Sequence, residues 1–208
     1  TNRLTSARMT SRGRSWARTT DTGRNGMPSY RMLCRTVRAE SDDGRVVEAA
    51  YDRLLLATGS NPFKLPVPGA DLQGVIAYRD IADTEAMIAA ARTHRRAVVI
   101  GGGVLGLEAA SGLAQRGMQV TVVHTHAWPM DRQLDAEAGA LLQRALEARG
   151  IAFRLRAHTE SLRGDGSGRV RAVCFGDGGQ VHADLVVMAV GSRPNVALAQ
   201  QMRLHCER

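Results

Sequence analysis

The stretch "AVVIGGGVLGLEAA", residues 97–110, decides how this chain folds. Its apolar start predicts a strand at 97–100, and its helix-forming end predicts a helix at 103–116 directly after a tight turn. The turn has the order G-x-G-x-x-G, with its glycines at Gly101, Gly103 and Gly106. This arrangement is typical of a backbone site for phosphate groups, because the N-terminus of the helix offers free N–H groups.

The three glycines are required for different reasons. Gly101 permits the tight turn, Gly103 allows the backbone to approach a pyrophosphate, and Gly106 lets the helix pack closely against the strand. A second predicted strand at 119–124 follows the helix, and it completes the βαβ unit that the motif needs. The alternative is a turn whose glycines serve packing only.

The residue that ends the second strand bears on the choice of nucleotide. In such units an acidic residue about 20 positions further on hydrogen-bonds the adenosine ribose of NAD. This chain has His124 there, followed by Thr125 and His126. A neutral histidine can hydrogen-bond a ribose hydroxyl, whereas a protonated one tolerates the 2′-phosphate of NADP. The lack of an arginine at 124–126 favours NAD, although Arg132 follows on the next loop; a plain polar role at the strand end is the other interpretation for the histidine.

Glu108 stands in the first turn of the predicted helix. A carboxylate in that position is stabilised by the helix dipole whatever the function. The same side chain can also face the nicotinamide end of a bound cofactor, and the sequence spacing does not choose between the two roles.

The rest of the body alternates strands with helices, which predicts right-handed βαβ units, a parallel sheet and an α/β fold. Short alternating strands at 158–190 predict a β-meander. A strand at 54–57 is apolar at consecutive positions, which is typical of a strand covered on both faces. The other predicted elements are a hairpin at 35–40 and 45–50, strands at 75–78, 151–156 and 185–190, and helices at 81–93 and 135–149.

The net charge of +8 is confined to one end of the chain. Residues 1–38 hold nine arginines and a single acid, Asp21, so the remainder is neutral. This Arg, Ser, Thr and Gly-rich segment has no helical or strand period, and we expect a disordered basic arm at 1–33. A solvated tail is the favoured interpretation; binding of nucleic acid or an anionic surface, and an organellar transit peptide, are the alternatives.

The cysteines do not indicate disulfides or a metal site, and the apolar runs do not indicate a membrane span. The three cysteines, Cys34, Cys174 and Cys206, are odd in number and far apart, which is untypical of disulfide frameworks and metal sites. The apolar runs are far shorter than the roughly 20 residues that span a bilayer. We therefore expect reduced thiols in a cytoplasmic protein without a membrane span.

Several stretches together resemble the pyridine nucleotide-disulfide oxidoreductase superfamily of flavoprotein reductases. These stretches are "YDRLLLATGSNPF" from residue 51, the glycine motif with its flanking strands at 97–123, and "ADLVVMAVGSRPN" at 183–195. Within the superfamily, the large subunits of NADH-dependent nitrite reductases are most similar, through "LATGSNPFKLPVPG" from residue 56, "VVH" at 122–124 and "DRQLDAEAGALLQRALEARGI" at 131–151.

The resemblance implies a Rossmann-like NAD(P)-binding domain, with its β-meander, inserted within an FAD domain. Hydride would pass from NADH to FAD, and electrons would continue to iron-sulfur and siroheme centres elsewhere. The implied division is a basic arm at 1–33, a partial FAD-domain segment at 34–78, the NAD(P)-binding domain at 79–195 and a C-terminal tail at 196–208.

The resemblance also implies which residues contact the cofactor. Turns at 57–59 and 189–191 would mark crossings between the two domains, with Gly191 near the nicotinamide. No catalytic residue and no metal ligand is predicted. The expected cofactor-binding residues are Gly101, Gly103, Val104, Leu105, Gly106, Glu108, His124, Val190, Gly191, Thr58 and Gly59.

Missing family features indicate a fragment with only a remnant of the FAD domain. Residues 1–33 contain no second G-x-G-x-x-G for FAD, and the C-x-x-x-x-C redox pair is absent. We expect neither tight FAD binding nor turnover unless a flavin-binding portion or redox partner supplies the rest. A non-catalytic nucleotide-binding fragment is the second hypothesis, and a nucleic-acid-binding protein acting through its basic arm is the third.

Overall fold

The chain forms two compact units in the computed structural model. Among the described residues, the first comprises those up to Gly59 together with those from Pro194, and the second is Ser60–Arg193, which contains the glycine turn. No helix in the described part has the length and apolar character needed to cross a membrane. The residues described are 6–7, 36–40 and 45–207.

The secondary structure alternates strands and helices through the middle of the chain. In chain order, the elements are β1 (Ser6–Ala7), β2 (Thr36–Glu40), β3 (Val46–Ala50), β4 (Ser60–Pro62), β5 (Val75–Ala77), α1 (Ile81–Thr93), β6 (Arg96–Ile100), α2 (Val104–Ala114), β7 (Gln119–Val123), α3 (Ala136–Glu147), β8 (Ile151–Arg154), β9 (Thr159–Gly164), β10 (Val170–Phe175), β11 (Gln180–His182), β12 (Leu185–Met188), β13 (Ser192–Pro194) and α4 (Ala197–Gln201).

The second unit is built on a parallel sheet with the strand order β5-β12-β6-β7-β8. Helices cover one face of this sheet. α1 begins with a capping box, in which the carboxylates of Asp80 and Asp83 each accept a hydrogen bond from the other residue's N–H group. The helical side chains buried in this core include Met87, Leu107, Ala110, Leu113 and Leu146.

The β-meander covers the other face of the parallel sheet. β9, β10 and β11 pair antiparallel, and Leu162, Val173 and Phe175 are buried in the same core as sheet residues that include Val98 and Val186. Alternate side chains of β6 and β12 therefore enter different cores, and this is why these strands are apolar at consecutive positions. The predicted α/β class, with its Rossmann-like sheet and β-meander, is confirmed.

The segment before β5 packs onto the meander side of the second unit. Leu65, Val67, Ala70 and Leu72 all contact that core, so the compact unit begins before the predicted boundary at residue 79. The assignment of 34–78 to an FAD domain and of 79–195 to an NAD(P) domain stays a prediction. So does the C-terminal tail at 196–208, which contains α4.

The first unit contains the predicted hairpin, formed by β2 and β3. β1 pairs antiparallel with β2, with Ser6 opposite Glu40. The remainder of the basic arm at 1–33 and Cys34 lie outside the described residues, and the predicted disorder of the arm therefore stays a prediction.

The strand predicted at 54–57 is wrong. These residues form no strand, and Leu55 is 88% exposed. A buried strand needs partner strands beside it to satisfy its backbone hydrogen bonds, and none of the described residues pairs with this segment. The other predicted elements differ at their ends: for example, the strand predicted at 185–190 ends at Met188. The short elements β4, β13 and α4 were not predicted.

Asp184 joins two neighbouring strands at the amino end of the parallel sheet. Its carboxylate accepts hydrogen bonds from the Arg96 backbone N–H at 3.0 Å and from Arg96 Nη2 at 2.8 Å. The side-chain hydrogen bond from Arg96 outweighs the opposing effect of burial and, with the backbone N–H groups, lowers the pKa of Asp184 to about 2.

We expect Asp184→Asn to lower the free energy of unfolding by about 1 to 2 kcal/mol at neutral pH. Because the pKa of Asp184 is lower in the folded chain than in the unfolded one, the carboxylate stabilises the fold above about pH 4 and loses that effect as the pH falls toward 2. Urea unfolding near pH 7 and near pH 3 measures the difference between the two proteins, which should shrink at the lower pH. An equal difference at both pH values would contradict this account.

Candidate nucleotide-binding site

The glycine turn, residues 101–106, connects the carboxyl end of β6 to α2. Gly101 lies in the left-handed region at φ +119°, and a Cβ there would overlap the carbonyl of Ala189. A Cβ on Gly106 would overlap the carbonyl of Gly101. The packing of the chain itself therefore requires glycine at both positions.

Gly103 differs because nothing in the described part of the chain requires it to be glycine. Its φ of −82° suits any residue, and a Cβ there would have no described atom within 4 Å. The space that a side chain would fill is open beside the start of α2. A bound group that approaches the backbone closely, as a pyrophosphate does in such folds, gives this glycine a physical purpose.

The first turn of α2 faces the same space with free N–H groups. Gly103 is the N-cap, and no described side chain caps the helix there. Val104 and Leu105 are 48% and 40% exposed. The partial positive charge of the helix N-terminus is therefore available to an anionic group.

Gly102 is a fourth required glycine, which the sequence reasoning missed. A Cβ on Gly102 would lie 2.8 Å from Cγ of His124. The Gly102 N–H donates to His124 Nδ1 at 3.2 Å, and the Gly102 carbonyl accepts from the Met130 N–H at 2.8 Å. The middle of the glycine turn is thus held from both sides.

His124 has both ring nitrogens engaged in hydrogen bonds. Because Nδ1 accepts from Gly102, the ring proton lies on Nε2, which donates to Oδ1 of Asp131 at 2.7 Å. The His124 side chain is 11% exposed. His124 therefore links the glycine turn to Asp131, whereas a ribose ligand, the predicted role, needs a free ring nitrogen.

Asp131 brings a negative charge to the end of β7. Burial by itself raises the pKa of the Asp131 carboxyl, but the hydrogen bond from His124 and the proximity of His126 outweigh it, so the pKa lies below its usual 3.8. Oδ2 of Asp131 lies 3.5 Å from His126 Nδ1, and the Asp131 side chain is 18% exposed. At neutral pH this site holds a carboxylate.

The loop that carries Asp131, residues 124–134, is held by contacts within the second unit. Trp128 Nε1 donates to the Leu134 carbonyl at 3.0 Å, and a Cβ on Gly139 of α3 would overlap the Trp128 ring. The sequence held Asp131 in "DRQLD", but spacing alone did not show that this loop folds back onto the glycine turn.

The cluster of His124, His126 and Asp131 also has the composition of a metal site. Their ligand atoms lie within 4.8 Å of one another. A cation bound to Nε2 of His124 would displace its proton while Nδ1 still accepts from Gly102. The ring would then have to become an imidazolate or give up that hydrogen bond. The geometry favours a hydrogen-bond chain over a metal centre.

Val190 and Gly191 follow β12 at the same edge of the sheet. A Cβ on Gly101 would lie 3.4 Å from the Val190 nitrogen, so Val190 adjoins the glycine turn. The Gly191 carbonyl accepts from the Phe63 N–H at 2.9 Å, and Gly191 lies in the left-handed region at φ +111°.

Thr58 and Gly59 belong to the first unit. There, the Thr58 hydroxyl donates to the Asn195 carbonyl at 2.5 Å, and the Asn195 N–H donates to the Gly59 carbonyl at 2.9 Å. The predicted crossing turn at 57–59 is thus bonded to Asn195 of the first unit, and the one at 189–191 is bonded to Phe63 of the second unit. A cofactor role for these two residues stays a prediction.

Glu108 does not lie in the first turn of α2, as predicted. The helix begins at Val104 rather than at 103, and its first turn contains no acidic residue. Glu108 is exposed and lines a cavity together with Thr84 of α1 and with Arg116, which follows the end of α2. Helix-dipole stabilisation therefore does not account for this glutamate, and a cofactor contact stays a prediction.

We expect Gly102→Ala to lower the free energy of unfolding by about 1 to 3 kcal/mol, because its Cβ displaces the His124 ring. In a His124→Ala background, the same substitution should cost much less, since the obstructing ring is absent. Chemical unfolding of the four proteins in this double-mutant cycle measures the coupling. Equal costs in both backgrounds would show that the ring does not restrict Gly102.

The chain is similar to known proteins in both sequence and structure. The family profile described as pyridine nucleotide-disulphide oxidoreductase matches residues 24–208. The nitrite reductase [NAD(P)H] of Bacillus subtilis (strain 168) is 56% identical over 151 residues. That match covers 73% of this chain and 18% of the relative, so the chain spans less than a fifth of that protein.

Two solved structures share the fold. The NAD-dependent persulfide reductase from A. fulgidus has a TM-score of 0.77 and 30% identity, and the match covers 84% of this chain and 32% of that one. The water-forming NADH oxidase from Lactobacillus brevis bound to NADH has a TM-score of 0.72 and 26% identity, covering 80% and 37%. With the profile match over most of its length, the chain belongs to the pyridine nucleotide-disulphide oxidoreductase family.

Proposed function

We propose that this chain is the NAD(P)H-binding portion of a flavin-dependent oxidoreductase of the nitrite reductase type, in which hydride passes from NADH to FAD. The observation that carries the proposal is the open space at Gly103, beside the uncapped N-terminus of α2. The packing of the described residues explains the glycines on either side of it, and a bound pyrophosphate explains this one.

The residues of the turn have different roles in binding. The N–H groups of Gly103, Val104 and Leu105 bind the pyrophosphate, while Gly101 and Gly106 shape the turn that presents them. Val190 adjoins the turn, and with Gly191 it lies on the nicotinamide side of the cofactor. FAD, when bound, supplies a two-electron acceptor for the hydride.

NADH is the proposed donor, and the relatives support a reduced nicotinamide nucleotide in that role. The structure of the Lactobacillus brevis oxidase contains NADH, and the name of the Bacillus subtilis relative includes NAD(P)H. Nitrite as the final acceptor rests on the same relative. A cytoplasmic location and the lack of a role in nucleic-acid binding remain predictions from the sequence.

We expect Gly103→Val to abolish NADH binding, because its side chain fills the space proposed for the pyrophosphate. Calorimetric titration of the parent chain of 208 residues with NADH should give saturable heat. The expected dissociation constant is in the micromolar to millimolar range, which corresponds to a binding free energy of about −8 to −4 kcal/mol. Thermal melting should show that the variant still folds, since its Cβ meets no described atom.

Gly112→Ala is the matched control. It places a Cβ on the same helix, where Arg116 Nη1 at 4.0 Å is the nearest atom, and it should bind NADH as the parent chain does. Heat of equal size from Gly103→Val would place NADH away from the glycine turn. No heat from any of the three proteins would disprove nucleotide binding.

A further inference from the structure

We propose that Asp131 is the residue that binds the adenosine ribose and selects NADH against NADPH, and that His124 is a positioning residue that holds it. The inference rests on the proposed function and names the ribose contact of that same site. It differs from the sequence-based expectation, in which His124 itself contacts the ribose.

His124 occupies the place of the ribose-binding acid, but its polar atoms are not free. Nδ1 accepts from the Gly102 N–H at 3.2 Å and Nε2 donates to Asp131 at 2.7 Å. A neutral imidazole has one donor and one acceptor, so no hydrogen-bonding capacity of the ring remains for a ribose hydroxyl. The next group outward along this hydrogen-bond chain is the Asp131 carboxylate.

Asp131 has the position and the free capacity that a ribose contact needs. The preceding residue, Met130, donates its N–H to the Gly102 carbonyl at 2.8 Å, so the loop is fixed to the glycine turn. Oδ1 of Asp131 accepts from His124, while Oδ2 is 3.5 Å from His126 and can accept further hydrogen bonds. The two hydroxyls of a ribose are donors that match this carboxylate.

The charge of Asp131 would also discriminate between the two nucleotides. The 2′-phosphate of NADPH replaces a hydroxyl donor with a negative group, which a carboxylate at that place repels. Arg132, the next residue, is exposed and offers a positive charge to such a phosphate. We therefore expect the preference for NADH to depend on Asp131 and to weaken once its charge is removed.

The test is Asp131→Asn, which keeps the shape of the side chain and an oxygen that accepts from His124 Nε2. Titration calorimetry with NADH and with NADPH gives the two dissociation constants for the parent and the variant. We expect the ratio of the NADPH constant to the NADH constant to fall by about tenfold or more. The melting temperature should change little, because the hydrogen-bond chain survives.

Glu160→Gln is the matched control, since it too removes one carboxylate from the second unit, here at an exposed position on β9. Its nucleotide ratio should equal that of the parent, which separates a local effect from a change in net charge. A ratio unchanged in Asp131→Asn, with both nucleotides still bound, would overturn the role of Asp131 and leave the proposed function standing. Absence of binding in the parent chain would instead contradict the proposed function itself.

A second variant tests the positioning role of His124. His124→Ala removes the group that joins Asp131 to Gly102 and should weaken NADH binding, with the nucleotide ratio shifting in the same direction as in Asp131→Asn. His124→Gln can restore a donor toward Asp131 and should recover part of the ratio. If His124→Ala binds NADH more weakly but keeps the nucleotide ratio of the parent, Asp131 acts without His124.

Discussion

The first turn of α2 packs against the end of β6 with no side chain between them. Gly106 approaches the carbonyl of Gly101, and Gly101 in turn approaches the carbonyl of Ala189 after β12. A methyl group at either glycine would separate the helix from the sheet. These contacts fix where the N-terminus of α2 points, and every later feature of the candidate site depends on that direction.

A second set of contacts holds the same turn from the side of β7. Gly102 is bonded through its N–H to His124 and through its carbonyl to Met130. The loop after β7 is thereby brought back to the turn, and it places the carboxylate of Asp131 there. The site is thus formed by backbone groups of one segment and by a charge from another, each fixed by packing in the second unit.

Much of the fold follows from the sequence, because strands and helices with clear periods occur in the order of a parallel α/β sheet. α1 and the hairpin of β2 and β3 lie where they were predicted. The strand at 54–57 failed because consecutive apolar residues predict burial, whereas burial depends on partner strands that none of the described residues provides. Local sequence carries no information about such partners.

The candidate site was predictable where it depends on local geometry and not where it depends on a returning loop. Gly101 and Gly106 have the contacts that the motif predicts. The need for glycine at 102 arises from the His124 ring, and the contact between His124 and Asp131 spans a loop whose path the spacing did not reveal. Both depend on how the loop after β7 packs.

The central claim is that a nucleotide binds in the open space at Gly103, and backbone amide NMR of the 22.4 kDa chain titrated with NADH tests it most directly. We expect saturable shifts of the amide resonances of Gly103, Val104 and Leu105, with smaller shifts at Asp131 and little change in the β-meander. Saturable shifts confined to residues outside the glycine turn and the loop after β7 would contradict it.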